Sequence, residues 1–310
     1  MKYRRLGKTN LRVSVIGVGA WQFGGEWGKS FSQAEVSEML ARAKDLGINL
    51  IDTAECYGDH LSEQLIGQAI RGSREEWVVA TKFGHRYLGH LQRQDLWSAD
   101  DVRQQLEDSL LALQTDHIDL YQFHSGDDRA FDNQELWTML DKQVQAGKIR
   151  FLGISISSGI DPEYQARRAS EVGASVLQVV YNRLQREPEQ KIFPHSLAQD
   201  LGVLARIPLA SGFLSGKYPP GTRFTDPNDV RSAWDPEKVE GMLQEAARIQ
   251  QEEVPPGLPM AQWALAWCLQ HPAVSCVIPG CKSVQQVEAN AAAAALDMVR
   301  EDHPQAWNQG

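Results

Sequence analysis

The chain has 310 residues, with 31 Lys and Arg against 40 Asp and Glu and a formal net charge of −9 at pH 7. That length holds one large α/β domain or two ordinary ones, and it buries a substantial core either way. An acidic balance with no Lys/Arg block set against it argues against a nucleic-acid or anionic-membrane surface, so any anionic ligand has to be held locally.

Eight short apolar runs rich in β-branched residues succeed one another, at 13–18, 49–52, 77–81, 118–123, 149–154, 176–181, 203–205 and 274–278. Helical periodicity lies between them, most clearly over 33–46, 99–113, 131–146, 260–269 and 284–298, with a shorter helix-like stretch at 60–71. Ser32-Gln33-Ala34-Glu35 and Ser98-Ala99-Asp100-Asp101 read as capping boxes. Strands interleaved with helices imply a parallel sheet, because parallel neighbours need a crossover. Eight such units imply closure into a (β/α)8 TIM barrel, preceded by an N-terminal β-hairpin that residues 1–10 form with the next few residues of the chain. Two connections are too long for turns: 85–97 after the third strand, and 208–258 after the seventh. The second contains a helix-like 236–251 and is broken by Pro219-Pro220-Gly221 and Pro255-Pro256-Gly257, so it is expected to be an inserted loop over the active face of one domain spanning 1–310. A doubly wound dinucleotide fold is the rival, but after Gly17-Val18-Gly19 its third glycine is missing.

The four cysteines (Cys56, Cys268, Cys276 and Cys281) make no CxxC pair and no spacing that recurs with histidine. Neither a zinc site nor a disulfide framework is expected, and a reducing compartment is. His85 and His90 make no HxH or HExxH arrangement, so a metal-dependent hydrolase is not indicated either. The basic Met1 to Leu6 leads into Gly7-Lys8-Thr9-Asn10 and not into an apolar core, and no stretch approaches the ~20 apolar residues of a membrane span. A cytoplasmic location is the expectation.

In a parallel barrel, chemistry belongs at the C-terminal ends of strands. The second strand ends at Asp52 with Tyr57 just beyond it, the third in Thr81-Lys82, the fourth in Phe123-His124 and the fifth in Ser155. Each alone is an ordinary rim residue; their convergence on one mouth is the informative feature. The run Gly47-Ile48-Asn49-Leu50-Ile51-Asp52-Thr53-Ala54-Glu55-Cys56-Tyr57-Gly58, with Ser62-Glu63-Gln64-Leu65-Ile66-Gly67 after it, resembles the signature of the aldo-keto reductases. Lys82 and His124 match the other two positions of that family's catalytic tetrad.

The resemblance implies NAD(P)(H)-dependent reduction of an aldehyde or ketone. Tyr57 would be the general acid, Lys82 and Asp52 a pair that tunes its phenol, and His124 the group that orients the substrate oxygen. It also implies a cofactor cradle. Gly19, Ala20 and Trp21 come directly after the first strand, and Ser155 and Gln178 would meet the carboxamide of the nicotinamide. The segment after the seventh strand, with Arg206, Leu209, Ser211, Gly212, Leu214, Gly216 and Lys217, would wrap the pyrophosphate, the flat guanidinium of Arg206 standing where many members have an aromatic ring. At the start of the last helix, Gly280, Lys282, Ser283, Gln286 and Asn290 would hold the adenosine end. Lys282 and Ser283 favour NADPH (NADP) over NADH, although Ser283 to Gln286 is itself a capping box.

The chain departs from the family pattern in several places: Ile156 replaces an Asn, and Gly280 and Gln286 stand where some relatives have Lys and Arg. Ser125 stands where many have a Trp, so a wider or more polar pocket is expected, walled by some of Trp21, Phe23, Tyr87, Trp97 and Trp234. The expected partner is a small-molecule carbonyl compound. Two alternatives share the same residues: an NAD-dependent sugar or aldose dehydrogenase, and a cofactor-binding regulatory subunit without significant turnover.

Overall fold

A hairpin comes first in the computed structural model, which describes residues 1–157 and 161–307. Strand β1 (Tyr3–Arg5) pairs antiparallel with β2 (Arg12–Ser14). Leu6, Leu11 and Val13 from this hairpin pack with Leu50, Val78, Leu120, Val176 and Leu204 inside the barrel, closing one of its ends. The expected strand 13–18 is therefore divided: its first residues complete the hairpin, while the barrel takes up β3 (Val18–Gly19) and, just before it, an isolated bridge from Ile16 to Val277. The cause is local. At the corner, Ser14 N donates to Asn49 Oδ1 and Ser14 Oγ donates to the Ile16 carbonyl, so side-chain bonds replace ladder bonds there.

The remaining strands are β4 (Leu50–Asp52), β5 (Val78–Phe83), β6 (His85–Gly89), β7 (Gln92–Asp95), β8 (Ile118–His124), β9 (Ile149–Ser155), β10 (Ala174–Val180), β11 (Gly202–Arg206) and β12 (Cys276–Ile278). With β3, seven of them form an eight-stranded parallel sheet in the order β3-β4-β5-β8-β9-β10-β11-β12. Parallel bridges Ile16 to Val277 and Gly19 to Gly280 join the last to the first. The sheet is a (β/α)8 barrel, as expected. Its strands are buried on both faces, which is why they read as continuous apolar runs without alternation.

The helices are α1 (Gln33–Asp45), α2 (Leu61–Ile70), α3 (Ala99–Leu113), α4 (Asp128–Phe131), α5 (Gln134–Gln145), α6 (Pro162–Arg168), α7 (Pro188–Lys191), α8 (Phe193–Ala198), α9 (Pro236–Glu252), α10 (Met260–Leu269) and α11 (Val284–Ala292). The capping box at Ser32 and Glu35 is complete. At Ser98 only half forms: Asp101 N donates to Ser98 Oγ, but the carboxylate of Asp101, one methylene shorter than Glu, takes the Ser98 hydroxyl at 2.6 Å. The expected helix 131–146 is broken into α4 and α5 because Asn133, in extended backbone, caps α5 through Leu136 N. The expected helix 284–298 stops at Ala292, passing through a short 3-10 turn into extended Leu296. Among the described residues, no helix is long and apolar enough to cross a membrane.

Both long connections carry structure of their own. The one after β5 is the antiparallel β6–β7 hairpin. The one after β11 holds 3-10 turns at Ala210–Ser215 and Val230–Ala233 before α9, and it packs through Phe213, Leu214, Val239, Leu243, Ile249 and Trp263.

Candidate active site

The register of the parallel strands brings polar strand ends to one rim. Asp52 ends β4, Lys82 is the penultimate residue of β5 and His124 ends β8. Tyr57 stands on the turn after β4, where its backbone passes so close to Gly24 that a side chain there would strike the Tyr57 carbonyl. Lys82, fully buried, donates from Nζ to Asp52 Oδ2 at 2.8 Å, to the Thr53 carbonyl at 2.6 Å and to the Tyr57 hydroxyl at 3.3 Å. The Tyr57 and His124 rings meet edge to face at 6.2 Å. All four residues singled out from the sequence thus share one site.

Burial is the largest electrostatic influence on Tyr57. Burial pushes the Tyr57 phenol up to about 12, outweighing the opposing pull of the Lys82 ammonium, so the lysine limits the rise and does not produce a net fall. Lys82 itself is held charged: burial works against it, but Asp52 and Tyr57 raise it above the ordinary lysine range. Burial pushes His124 down to about 4 against the opposing effect of Glu55, so its ring is neutral near pH 7.

Beneath these groups lies a polar layer that only partly shows in the sequence. Asp52 Oδ1 accepts from Gln178 Nε2 at 2.7 Å and from Gln122 Nε2 at 3.1 Å. Gln178 Nε2 also donates to Gln122 Oε1 at 3.0 Å. Gln122 is absent from the expected site residues, although it lies two residues before His124 on a strand and so on the same face. Glu55 is buried as well; burial works against its charge, but His124 and His85 draw its carboxyl below the usual range.

A cavity of about 550 Å3 opens above Tyr57 and His124 and runs toward the start of α11. Of the residues assigned to a cofactor, Gly19, Ala20, Trp21, Gln178, Arg206, Leu209, Ser211, Gly212, Lys217, Gly280, Lys282, Gln286 and Asn290 line it. Four others stand back. Leu214 packs into the apolar cluster under α9, and Gly216 lies against Met260. The Ser283 hydroxyl caps α11 through Gln286 N, and Ser155 is buried beside His124 and Gln178 in the strand register. The backbone from Ile207 to Gly212 has positive φ at Ile207, Ala210, Ser211 and Gly212, and within this turn Ala210 N and Gly212 N donate to the Ile207 and Leu209 carbonyls at 2.9 Å. At Gly280 any side chain would strike the Gln22 amide, which occupies the space a lysine would need.

The lining contains the cations Arg93, Arg206, Lys217, Arg231 and Lys282 but one carboxylate, Asp52, in a chain of net charge −9. Arg231 is neutralised by Asp229 at 2.7 Å and also donates to the Ser211 carbonyl. Among the described residues Arg206 has no such partner. Its Nη2 donates to the Ile156 carbonyl at 3.1 Å, its buried Nε has no partner in the structure, and burial lowers its affinity for the proton. Lys282 donates to the Trp27 carbonyl at 2.6 Å, and Gln286 Oε1 accepts from Lys282 N, so the second half of that expected capping box has moved by one residue.

Of the five aromatic residues expected as walls, Trp21 lines the cavity and stacks on Tyr57 at 6.0 Å. Phe23 is in the core, and Trp97 lies behind His85 against Phe123. Tyr87 packs under Arg93, and Trp234 joins Phe213. Trp27, His85, Leu91, Arg93, Ser125 and Tyr218 also stand in its walls. Glu26, 1% exposed, ties them together: its carboxylate accepts from Trp21 Nε1 at 2.8 Å, from Leu91 N at 2.9 Å and from Arg93. No sequence spacing relates these three partners.

A closed parallel barrel with an Asp, Tyr, Lys and His at one rim, beside an elongated cationic cavity, is the architecture of a nicotinamide-dependent oxidoreductase. The Aldo/keto reductase family model matches residues 15–307, and the chain belongs to that family of oxidoreductases. It is 32% identical to the uncharacterized oxidoreductase YqkF of Bacillus subtilis, over 95% of this chain and 91% of that one. Among solved structures it is similar to the aldo-keto reductase AKR11C1 from Bacillus halodurans in its holo form, with a TM-score of 0.80 and 29% identity covering 99% and 97% of the two chains. It is also similar to the glycerol dehydrogenase AKR11B4 from Gluconobacter oxydans, with a TM-score of 0.81 and 27% identity covering 99% and 98%. Members of the family use nicotinamide cofactors and act on small-molecule carbonyl compounds.

Proposed function

We propose that this protein reduces aldehydes or ketones to alcohols with NADPH, with Tyr57 as the general acid. The observation that carries this reading is the Tyr57, Lys82 and Asp52 chain at the floor of a cavity whose far end is cationic. The residues present fit a dinucleotide: Arg206 brings a guanidinium with no carboxylate partner among the described residues to the Tyr57 end, and Lys217 and Lys282 bring cations to the same cavity. In this reading Arg206 packs on the nicotinamide end, Ser211, Gly212 and Lys217 hold the pyrophosphate, Lys282 faces the 2′-phosphate and Asn290 the adenine. The 208–258 segment belongs to the same catalytic unit as the barrel.

When bound, the reduced nicotinamide supplies a hydride to the carbonyl carbon. The oxygen left behind needs a proton, and Tyr57, its pKa pushed up to about 12 by burial, carries one throughout the neutral range. Lys82, charged and 3.3 Å from the hydroxyl, stabilises the phenolate formed as that proton leaves. Asp52 holds the ammonium in place through a bond that two glutamines brace. His124, neutral, donates one ring N–H to the substrate oxygen and sets its direction. Tyr57 then regains its proton from water through the cavity.

The likeness to a glycerol dehydrogenase favours assaying the reverse direction as well. The deciding experiment is a panel of aldehydes, ketones, aldoses and polyols run both ways with NADPH and NADH, comparing kcat/KM. Tight NADPH binding with no turnover on any of them overturns the reading in favour of a regulatory subunit.

A further inference from the structure

We propose that Glu55, Cys56 and His124 form a site for one zinc-like divalent cation, with Zn2+ or Cd2+ as the fitting ions, at the floor of the substrate cavity. Cys56 Sγ lies 3.8 Å from His124 Nδ1, and His124 Nδ1 lies 3.9 Å from Glu55 Oε2. All three donor atoms fall within 4.8 Å of one another. Around a tetrahedral ion with bonds of ~2.3 Å to sulfur and ~2.0–2.1 Å to nitrogen and oxygen, donors stand roughly 3.3–3.6 Å apart, so the Cys56–His124 pair closes by a few tenths of an ångström, the His124–Glu55 pair by about half an ångström, and the Glu55–Cys56 pair by at most about 1.2 Å, through side-chain rotation.

A second observation points the same way. Glu55 is 2% exposed; its Oε1 accepts from His85 N at 3.0 Å, while its Oε2, 3.9 Å from His124 Nδ1, is buried without a hydrogen-bond partner among the described residues. A buried carboxylate oxygen left in that state lacks the partner that such groups ordinarily have. Charge also balances. The carboxylate and a Cys56 thiolate together match the two positive charges of the ion, Lys82 is already paired with Asp52, and Arg93 is paired with Glu26. Binding forms one metal–sulfur bond and releases the thiol proton to solvent. Cys56 and His124 both line the cavity, which supplies the route of entry and leaves the fourth position for water.

An ion there holds the His124 ring and puts a bound water where the carbonyl oxygen would sit, so turnover falls; that consequence rests on the reductase reading, whereas binding does not. The test is a titration of the full-length protein with CdCl2 in metal-free buffer. One equivalent of the thiolate-to-cadmium charge-transfer absorption is expected, along with loss of carbonyl reduction in step with it. Cys56→Ala removes the absorption. Glu55→Gln, checked for folding by circular dichroism, weakens cadmium binding by more than the roughly 10- to 100-fold that loss of an outer partner costs. No absorption with cadmium in excess, an undiminished signal in Cys56→Ala, or unchanged affinity in Glu55→Gln overturns the site. Absorption that rises while turnover stays constant overturns the inhibition. A metal-free protein that reduces nothing overturns the reductase reading and leaves the absorption test standing.

Discussion

Gln178 reaches across the barrel to Asp52, its Nε2 2.7 Å from Oδ1, while Lys82 holds the other carboxylate oxygen at 2.8 Å. Asp52 is therefore fully engaged as a buried anion, braced on one oxygen by two amides and neutralised on the other. The carboxamide of Gln178, expected to face a nicotinamide, spends its N–H groups on this brace.

Removing the ammonium should leave that anion uncompensated. Breaking a buried pair from one side costs about 3–5 kcal/mol, more than replacing both partners. Lys82→Met should lose stability on that scale in urea unfolding, and the double change Asp52→Asn with Lys82→Met should recover part of it. A double mutant no more stable than the single one would show that the pair is not coupled in this way.

Tyr57→Phe removes the proton donor and leaves the ring stacked on Trp21. Carbonyl reduction should fall by roughly 10²- to 10⁴-fold, while NADPH affinity, read by protein fluorescence, stays near that of the parent. A parallel loss of affinity would place Tyr57 in binding and not in proton transfer.

Arg206 tests the cofactor cradle. A partly buried cation with an unpaired Nε weakens the free protein and is relieved by an anionic or flat partner. Arg206→Met should leave the unliganded protein as stable as the parent or more so, while weakening NADPH binding roughly 10- to 100-fold. Calorimetric melting with and without NADPH reads both effects.

The pH dependence of folding has a contributor far from the site. His303 is buried near the C-terminal end, with Nδ1 accepting from Gln305 N and Nε2 donating to the His271 carbonyl, an arrangement that needs the neutral ring. Burial, helped by Arg4, pushes it from 6.5 down to about 4. Because the folded value lies below the unfolded one, the unfolded chain binds more protons in that window; stability is full above about 6.5 and falls as pH drops toward 4. Melting temperature against pH should slope less steeply over this range in His303→Gln.

The barrel and the four rim residues were legible because buried parallel strands write themselves as apolar runs and polar side chains stand out where the runs end. The division of 13–18 was not, since Ser14 turns the chain through bonds to Asn49, a residue 35 positions away. Nor was the β6–β7 hairpin, whose strands of largely polar residues form around the turn at Leu91 and are held down by Glu26.

The sequence by itself determined the architecture and the place of Asp52, Tyr57, Lys82 and His124 at one rim, because period, strand-end position and a family signature are all properties of local order along the chain. The tertiary structure alone decided that burial outweighs Lys82 at the Tyr57 phenol, that Gln122 and Gln178 brace Asp52, and that Glu55 and Cys56 face His124. Those outcomes depend on which distant side chains share a small, dry volume, and charge and hydrogen-bond energies there are set by distance and solvent exclusion, neither of which is written in sequence spacing.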